Sequence, residues 1–171
     1  MDKKYFELLG NYNKGANEKM NTIIKTLSEE EWDKAFAGYY KSIHELCSHL
    51  FIGDYNWLTR FRSAKNFKSL KDEYFTKNYS PKEAVFKTID EYINMRMELD
   101  KIIIDLINEI AIEDIKLLLK WTNAKKTTFE KSIGTCLIHL SNHETHHRAM
   151  ISLYLDMLGK ENDYSNLYPY G

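Results

Sequence analysis

The sequence predicts an all-α protein, a four-helix bundle with long crossover connections. Three observations carry that prediction. Glycine (7) and proline (2) are scarce among 171 residues, so few positions break a helix. Four long segments repeat apolar residues at steps of three and four, the period of a helix with one buried face. Start and stop residues bracket those segments, and helices with one apolar face bury it best against one another.

The first segment runs from about Asp2 to Leu27 and carries Leu9, Tyr12, Ala16, Met20, Ile23 and Leu27 on one stripe, with Gly15 weakening its middle. Ser28 followed by Glu31 is a capping box, so a short helix is expected before Gly38. A second box, Ser42 and Glu45, opens the second long helix, whose stripe of Ile43, Leu46, Leu50, Trp57 and Phe61 ends near Phe61. Ser80, Pro81 and Glu83 combine N-cap, first-turn proline and box, and predict the start of the third. Its inner positions repeat at seven: Val85, Tyr92, Leu99 and Leu106, with Ile89, Arg96, Ile103 and Ile110. Arg96 either points into the core or, in the simpler reading, snorkels from its edge.

Between Glu113 and Glu130 the helical period lapses, and Lys116 to Thr128 reads as a short hairpin turning near Asn123 and Ala124. The fourth long helix begins between Thr127 and Ser132 and stops at Gly159, a C-cap residue. Connections of roughly twenty residues flank the third long helix, long enough for a crossover.

Composition narrows the function classes. Lysine plus arginine (24) nearly balances aspartate plus glutamate (25), a net charge of −1, which argues against a dedicated nucleic-acid binder. Apolar runs such as Leu50 to Ile52 reach about three residues, far from the roughly 20 that cross a bilayer, so neither a membrane partner nor a secretory signal is expected. Two cysteines, Cys47 and Cys136, suit a reducing cytoplasm better than a disulfide framework, and both are expected to be buried thiols. The length fits a single domain over residues 1–171.

The chemistry concentrates in the fourth long helix, where four of six histidines lie between His139 and His147. His143 and His147 stand one turn apart on one face, close enough to share a zinc or other divalent ion. Turning at about 100° per residue places His147 and Glu144 within the apolar arc set by Cys136, Leu137, Leu140, Ile151, Leu155 and Leu158. His143 falls at its border, and His139 and His146 fall outside. Burying a carboxylate and two imidazoles is costly, and a metal would offset that cost. A third ligand is expected from a facing helix, and periodicity leaves both His44 and His49 open. Gly53, one turn from His49, would leave room for an ion or ligand. Glu144 could then act as general base or orient an imidazole. Arg148 or Arg96 could steer an anionic group, although Arg148 reads more simply as solvated.

His143-Glu144-Thr145-His146-His147 fits the H-E-x-x-H pattern of zincin metalloproteases, with Glu144 as base. No glycine and third histidine follow directly, and the one short hairpin is all the chain offers as a peptide-holding strand edge. A protease is therefore the third choice.

Nearly the whole chain resembles the DinB family, four-helix proteins with a three-histidine metal site. The resemblance rests on Tyr12-Asn13-Lys14-Gly15-Ala16-Asn17, on Ser42-Ile43-His44-Glu45-Leu46-Cys47-Ser48-His49-Leu50 leading to Trp57-Leu58, and on Asn142-His143-Glu144-Thr145-His146-His147-Arg148 closed by Leu158-Gly159. It implies His49, His143 and His147 as ligands, a bundle with long crossovers, and often a homodimer. The metal implied is divalent, zinc or nickel foremost and iron or manganese next. Relatives include metal-dependent thiol transferases and a thiol-dependent isomerase. The resemblance thus implies an enzyme that activates a low-molecular-weight thiol for transfer to a small-molecule substrate, or a hydrolase using activated water. A noncatalytic, stress-associated metal-binding bundle is the alternative. Two departures stand out: Ala149-Met150 replaces the family's usual Gly-Gln, and Gly15 occupies a place where relatives often carry a large aromatic.

Overall fold

The computed structural model describes residues 2–80, 82–123 and 125–171. Among them are five α-helices: α1 (Lys3–Ile24), α2 (Glu29–Asp33), α3 (Ile43–Phe61), α4 (Ile89–Glu109) and α5 (Ile133–Met157). One antiparallel hairpin, β1 (Leu118–Thr122) and β2 (Thr128–Ser132), precedes α5. The protein is thus mostly helical with a small two-stranded sheet.

Local chemistry sets most of these boundaries. Asp2, Ser28, Ser42 and Ser132 each accept a backbone N–H at the start of a helix, and Ser28 with Glu31 closes a complete capping box. At the far end of α5, Gly159 adopts φ +72°, the left-handed turn that stops a helix. Gly15 does not interrupt α1. It leaves space that the Tyr170 ring fills, against which a Cβ would collide.

The third long helix starts later than its sequence signals predict. Pro81 lies outside the described residues. Ser80 and Glu83 do form half of their box, since the Ser80 amide donates to Glu83 Oε2 at 2.9 Å. No helix follows, because Phe86 is buried against Phe51 and Tyr92 and the Val85 amide donates to Ser48 on α3. That anchoring draws the chain off a helical path until Thr88, whose hydroxyl accepts the Glu91 amide and starts α4. Val85 therefore packs from the connection, while Tyr92, Leu99, Ile103 and Leu106 keep the expected inward face. The connection spans 62–88, longer than the expected twenty residues. It is pinned by buried Phe67 and Leu70 and by the Glu109 carboxylate, which accepts the Lys68 and Ser69 amides.

The hairpin forms, but with shifted bounds. Asn123 holds the turn by accepting from the Lys125 and Thr127 amides, while Ala124 lies outside the described residues. The second strand runs on to Ser132, pairing Leu118 with Ser132, because a two-stranded ladder needs equal arms about its turn. Ser132 then serves as both last strand residue and N-cap of α5.

Packing pairs α1 with α4 and α3 with α5, and closes the ring through α1 with α5 and α3 with α4. The buried apolar side chains form one cluster within that ring. The steps from α1 to α3 and from α4 to α5 thus join helices that are not principal neighbours. Among the described residues, no helix is long and apolar enough to cross a membrane.

The true start of α4 can be checked by cap removal. Thr88→Ala should lower stability by about 1 kcal/mol, whereas Ser80→Ala should cost less than about 0.5 kcal/mol. Urea unfolding midpoints read both, and a larger loss for Ser80→Ala would count against the assignment.

Candidate metal centre

Helices α3 and α5 bring His49, His143 and His147 together. The Nε2 of His49 lies 3.1 Å from that of His143 and 3.2 Å from that of His147. Nitrogens about 2.0–2.1 Å from a tetrahedral zinc ion lie about 3.3 Å apart, so the spacing fits a shared cation. The lone pairs make the same point. An N–H on His49 serves one neighbour only, leaving a further lone pair directed at the centre with no proton to receive it. A cation resolves that conflict.

Electrostatics keep the donors neutral. Burial, then the neighbouring His143, lowers the His49 pKa to about 4. Burial, then His143 and His49, lowers that of His147 to about 3. His143 is also lowered, chiefly by burial, against the pull of Glu144. At neutral pH all three therefore offer lone pairs, as metal binding requires.

Gly53 serves a different purpose from the one its spacing suggests. The room it leaves on α3 is taken by the His143 ring, and a Cβ there would sit 2.8 Å from its Cε1. Tyr40, on the loop before α3, lays its ring 4.5 Å from that of His49 and meets His147 edge-on at 5.6 Å. The loop is strapped to α5: Tyr154 donates to the Tyr40 carbonyl at 2.7 Å and stacks on Phe36 at 4.2 Å. A cleft of about 710 Å³ reaches the cluster at His49 alone of the three, with Tyr40, Lys41, Lys82, Glu45 and Glu83 also in its walls.

The other histidines lie apart from the cluster. His44 bonds Asp33 through Nδ1 at 2.8 Å and stacks on Trp32. His139 and His146 are exposed, as their helical positions suggest.

Glu144 and both arginines form a buried ionic network behind the trio. Arg96 is 1 % exposed, and Arg148 is buried too, which corrects both the snorkelling and the solvated expectations. The reason is charge pairing. Arg96 Nη1 donates to Asp54 at 2.6 Å and to Glu144 at 3.3 Å, while Nη2 donates to Asp100 at 2.7 Å. Arg148 donates to the other Glu144 oxygen at 2.6 Å and to Asn13 and Asn17 of α1. Burial alone would raise the Glu144 carboxyl. The neighbouring Asp54 side chain and the two guanidiniums prevail and hold it at about 2. Burial and the adjacent Glu144 charge push Asp54 well above the usual carboxylate range, against the pull of Arg96. Asp100 is raised to about 6, first by burial and against Arg96. The two guanidiniums of Arg96 and Arg148 thus face three buried carboxyl groups, Asp54, Asp100 and Glu144.

Asp54, Asn13, Asn17 and Asp100 went unnoticed as site-supporting residues, although the signal was present. Each is a polar side chain on an otherwise apolar helical stripe, as Glu144 is. Tyr40 carries no such mark, because it reaches the site from a loop.

A mostly helical protein with a three-histidine cluster able to hold a metal ion is the class these features define. The chain belongs to the DinB family, which matches residues 1–169. It is 24% identical over 148 residues to Protein DinB of Bacillus subtilis (strain 168), covering 86% of this chain and 83% of that protein.

Two outcomes are expected. Gly53→Ala favours the helix by up to about 1 kcal/mol but must displace the His143 ring. It should therefore keep or raise the melting temperature while weakening metal affinity in chelator competition. The metal-free protein should lose stability as pH falls from about 6.5 toward 4, because unfolded imidazoles take up protons there while His49 and His147 do not. Asp100, with its raised pKa, works in the opposite direction, so the readout is a comparison with His147→Ala. Urea midpoints should fall more steeply for wild type, and equal slopes would count against the lowered values.

Proposed function

We propose that this DinB-family chain is a metal-dependent enzyme acting on a small molecule, with His49, His143 and His147 holding a divalent ion. The reaction favoured is thiol-dependent S-transfer, with hydrolysis by activated water as the variant. One observation carries the reading: three imidazole nitrogens lie within 4.8 Å of one another, and His49 among them lines a cleft large enough for a small substrate. Structural zinc sites are closed by four protein donors, whereas catalytic ones leave a position for substrate, and this cluster gathers three donors. Zinc or nickel suits an imidazole set, with iron or manganese as alternatives. Such an ion supplies Lewis acidity, which lowers the pKa of a water or thiol beside it.

The chain's own residues account for the rest of the proposal. The Tyr40 ring covers one side of His49 and keeps bulk water from that face. The cleft wall formed by Tyr39, Tyr40, Lys41 and Lys82 receives the substrate. Glu144 acts by holding α5 rather than by taking a proton, since both its oxygens accept from buried guanidiniums. Arg148 is committed to that same carboxylate and to Asn13, which leaves anion contact to other groups. A zincin-type protease has the His143 and His147 pair in its favour but needs Glu144 free. The second reading is a noncatalytic protein whose ion braces two helices, and it draws support from the way the cluster ties α3 to α5.

In this reading residues 1–171 are one domain of four-helix-bundle type with two diagonal crossovers, in keeping with the ring of helix contacts. The protein is in the same reading a cytoplasmic homodimer. Exposed Leu153 and Met157, one turn apart on α5, offer an apolar edge for a second copy.

Elemental analysis of protein purified without added metal tests the ligand set. His143→Ala and His147→Ala should each abolish stoichiometric metal, whereas His139→Ala and His146→Ala should retain it. His49→Ala should weaken binding well beyond His44→Ala. Metal kept in both of the first variants would end the assignment. Thiol consumption with an electrophile, measured beside thermal melting before and after chelation, separates the enzyme from the braced bundle.

A further inference from the structure

The geometry points to Arg96 as a positioning residue for the metal centre, a role that rests on reading His49, His143 and His147 as ligands. Arg96 comes from α4, a helix that supplies none of the three. Its guanidinium nevertheless meets both helices that do. Nη1 donates to Asp54 on α3 at 2.6 Å and to Glu144 on α5 at 3.3 Å. Asp54 adjoins Gly53, the surface on which the His143 ring rests. Glu144 adjoins His143 itself and lies within one turn of His147. A single planar group therefore fixes where the ligand-bearing turns of α3 and α5 stand relative to each other.

The anchor is itself held from behind. Nη2 donates to Asp100 at 2.7 Å, and Asp100 accepts from Asn17 of α1 at 3.0 and 3.3 Å. On the other side Arg148 holds the second Glu144 oxygen at 2.6 Å. Apolar packing alone tolerates small slides between helices, because dispersion contacts have little directionality. Charge-assisted bonds from a rigid fork do not, since they weaken steeply with angle. A metal site needs its donors within about 0.5 Å of productive positions, which is the tolerance such a fork can impose. Lysine keeps the charge but not the fork, so it separates positioning from simple neutralisation.

The test uses the full chain, stripped with a chelator and reloaded with cobalt(II), whose visible absorption reports coordination geometry. Wild type is compared with Arg96→Lys, Asp54→Ala and a core control on the same helix, Leu106→Ala. The expected result is an altered cobalt spectrum and a roughly ten- to hundred-fold loss of zinc affinity in Arg96→Lys and Asp54→Ala. Leu106→Ala should melt earlier yet keep both the spectrum and the affinity. If Arg96→Lys fails to fold, Asp54→Ala carries the test, because it leaves Arg96 paired with Asp100 and Glu144. Folded Arg96 and Asp54 variants with wild-type spectra and affinity would overturn the inference, as would an equal shift in Leu106→Ala. A wild-type protein that takes up no cobalt would instead overturn the ligand reading, before any variant is compared.

Discussion

The contact on which this structure depends most is the ionic knot formed by Arg96, Glu144 and their partners at the centre of the helices. Buried charges are tolerated when they are paired and hydrogen-bonded, and stranding one partner of such a pair typically costs about 3–5 kcal/mol. Here α1 contributes Asn13 and Asn17, α3 Asp54, α4 Arg96 and Asp100, and α5 Glu144 and Arg148. No long helix can shift without breaking a bond in a medium where water cannot replace it. Replacing the knot with leucines could match its stability, since buried ion pairs often gain little over apolar packing. What apolar packing would not supply is one defined register among four helices.

The histidine cluster inherits that register. The two helices that carry it are adjacent in space, yet they are joined in the chain through α4 and two long connections. The burial that makes the arginines expensive also keeps the imidazoles unprotonated, so a single desolvated interior serves both structure and chemistry. The aromatic loop carrying Tyr40 and the missing side chain at Gly53 act at closer range, one covering the cluster and the other letting a ring approach the α3 backbone.

Much of this was legible in the residues, and what was not has physical causes. Capping serines marked α2 and α3 because a cap acts within four residues and needs nothing distant. Ser80 misled for the same reason: its bond to Glu83 forms locally, while the burial of Phe86 decides whether a helix continues. The spacing of His143 and His147 was plain from one turn of helix. His49 was separated from His44 only by likeness to a family, since the choice depends on which face of α3 meets α5. Arg148 read as solvated because neither Asn13 nor Asn17 announces, from more than a hundred residues away, that it will accept its protons. Periodicity reports which face is buried, not which polar groups will meet there.

The separation of the donors along the chain, 94 and 98 residues from His49 to its two partners, bears on how the protein matures. During synthesis α3 emerges long before α5, and an isolated α5 can grip an ion with two imidazoles at most. If the trio holds an ion as proposed, tight capture must wait for the last helix to dock, which favours loading of the finished protein over the nascent chain. Such an ion would act as a latch on the assembled state, with a strength set by how much free metal surrounds it.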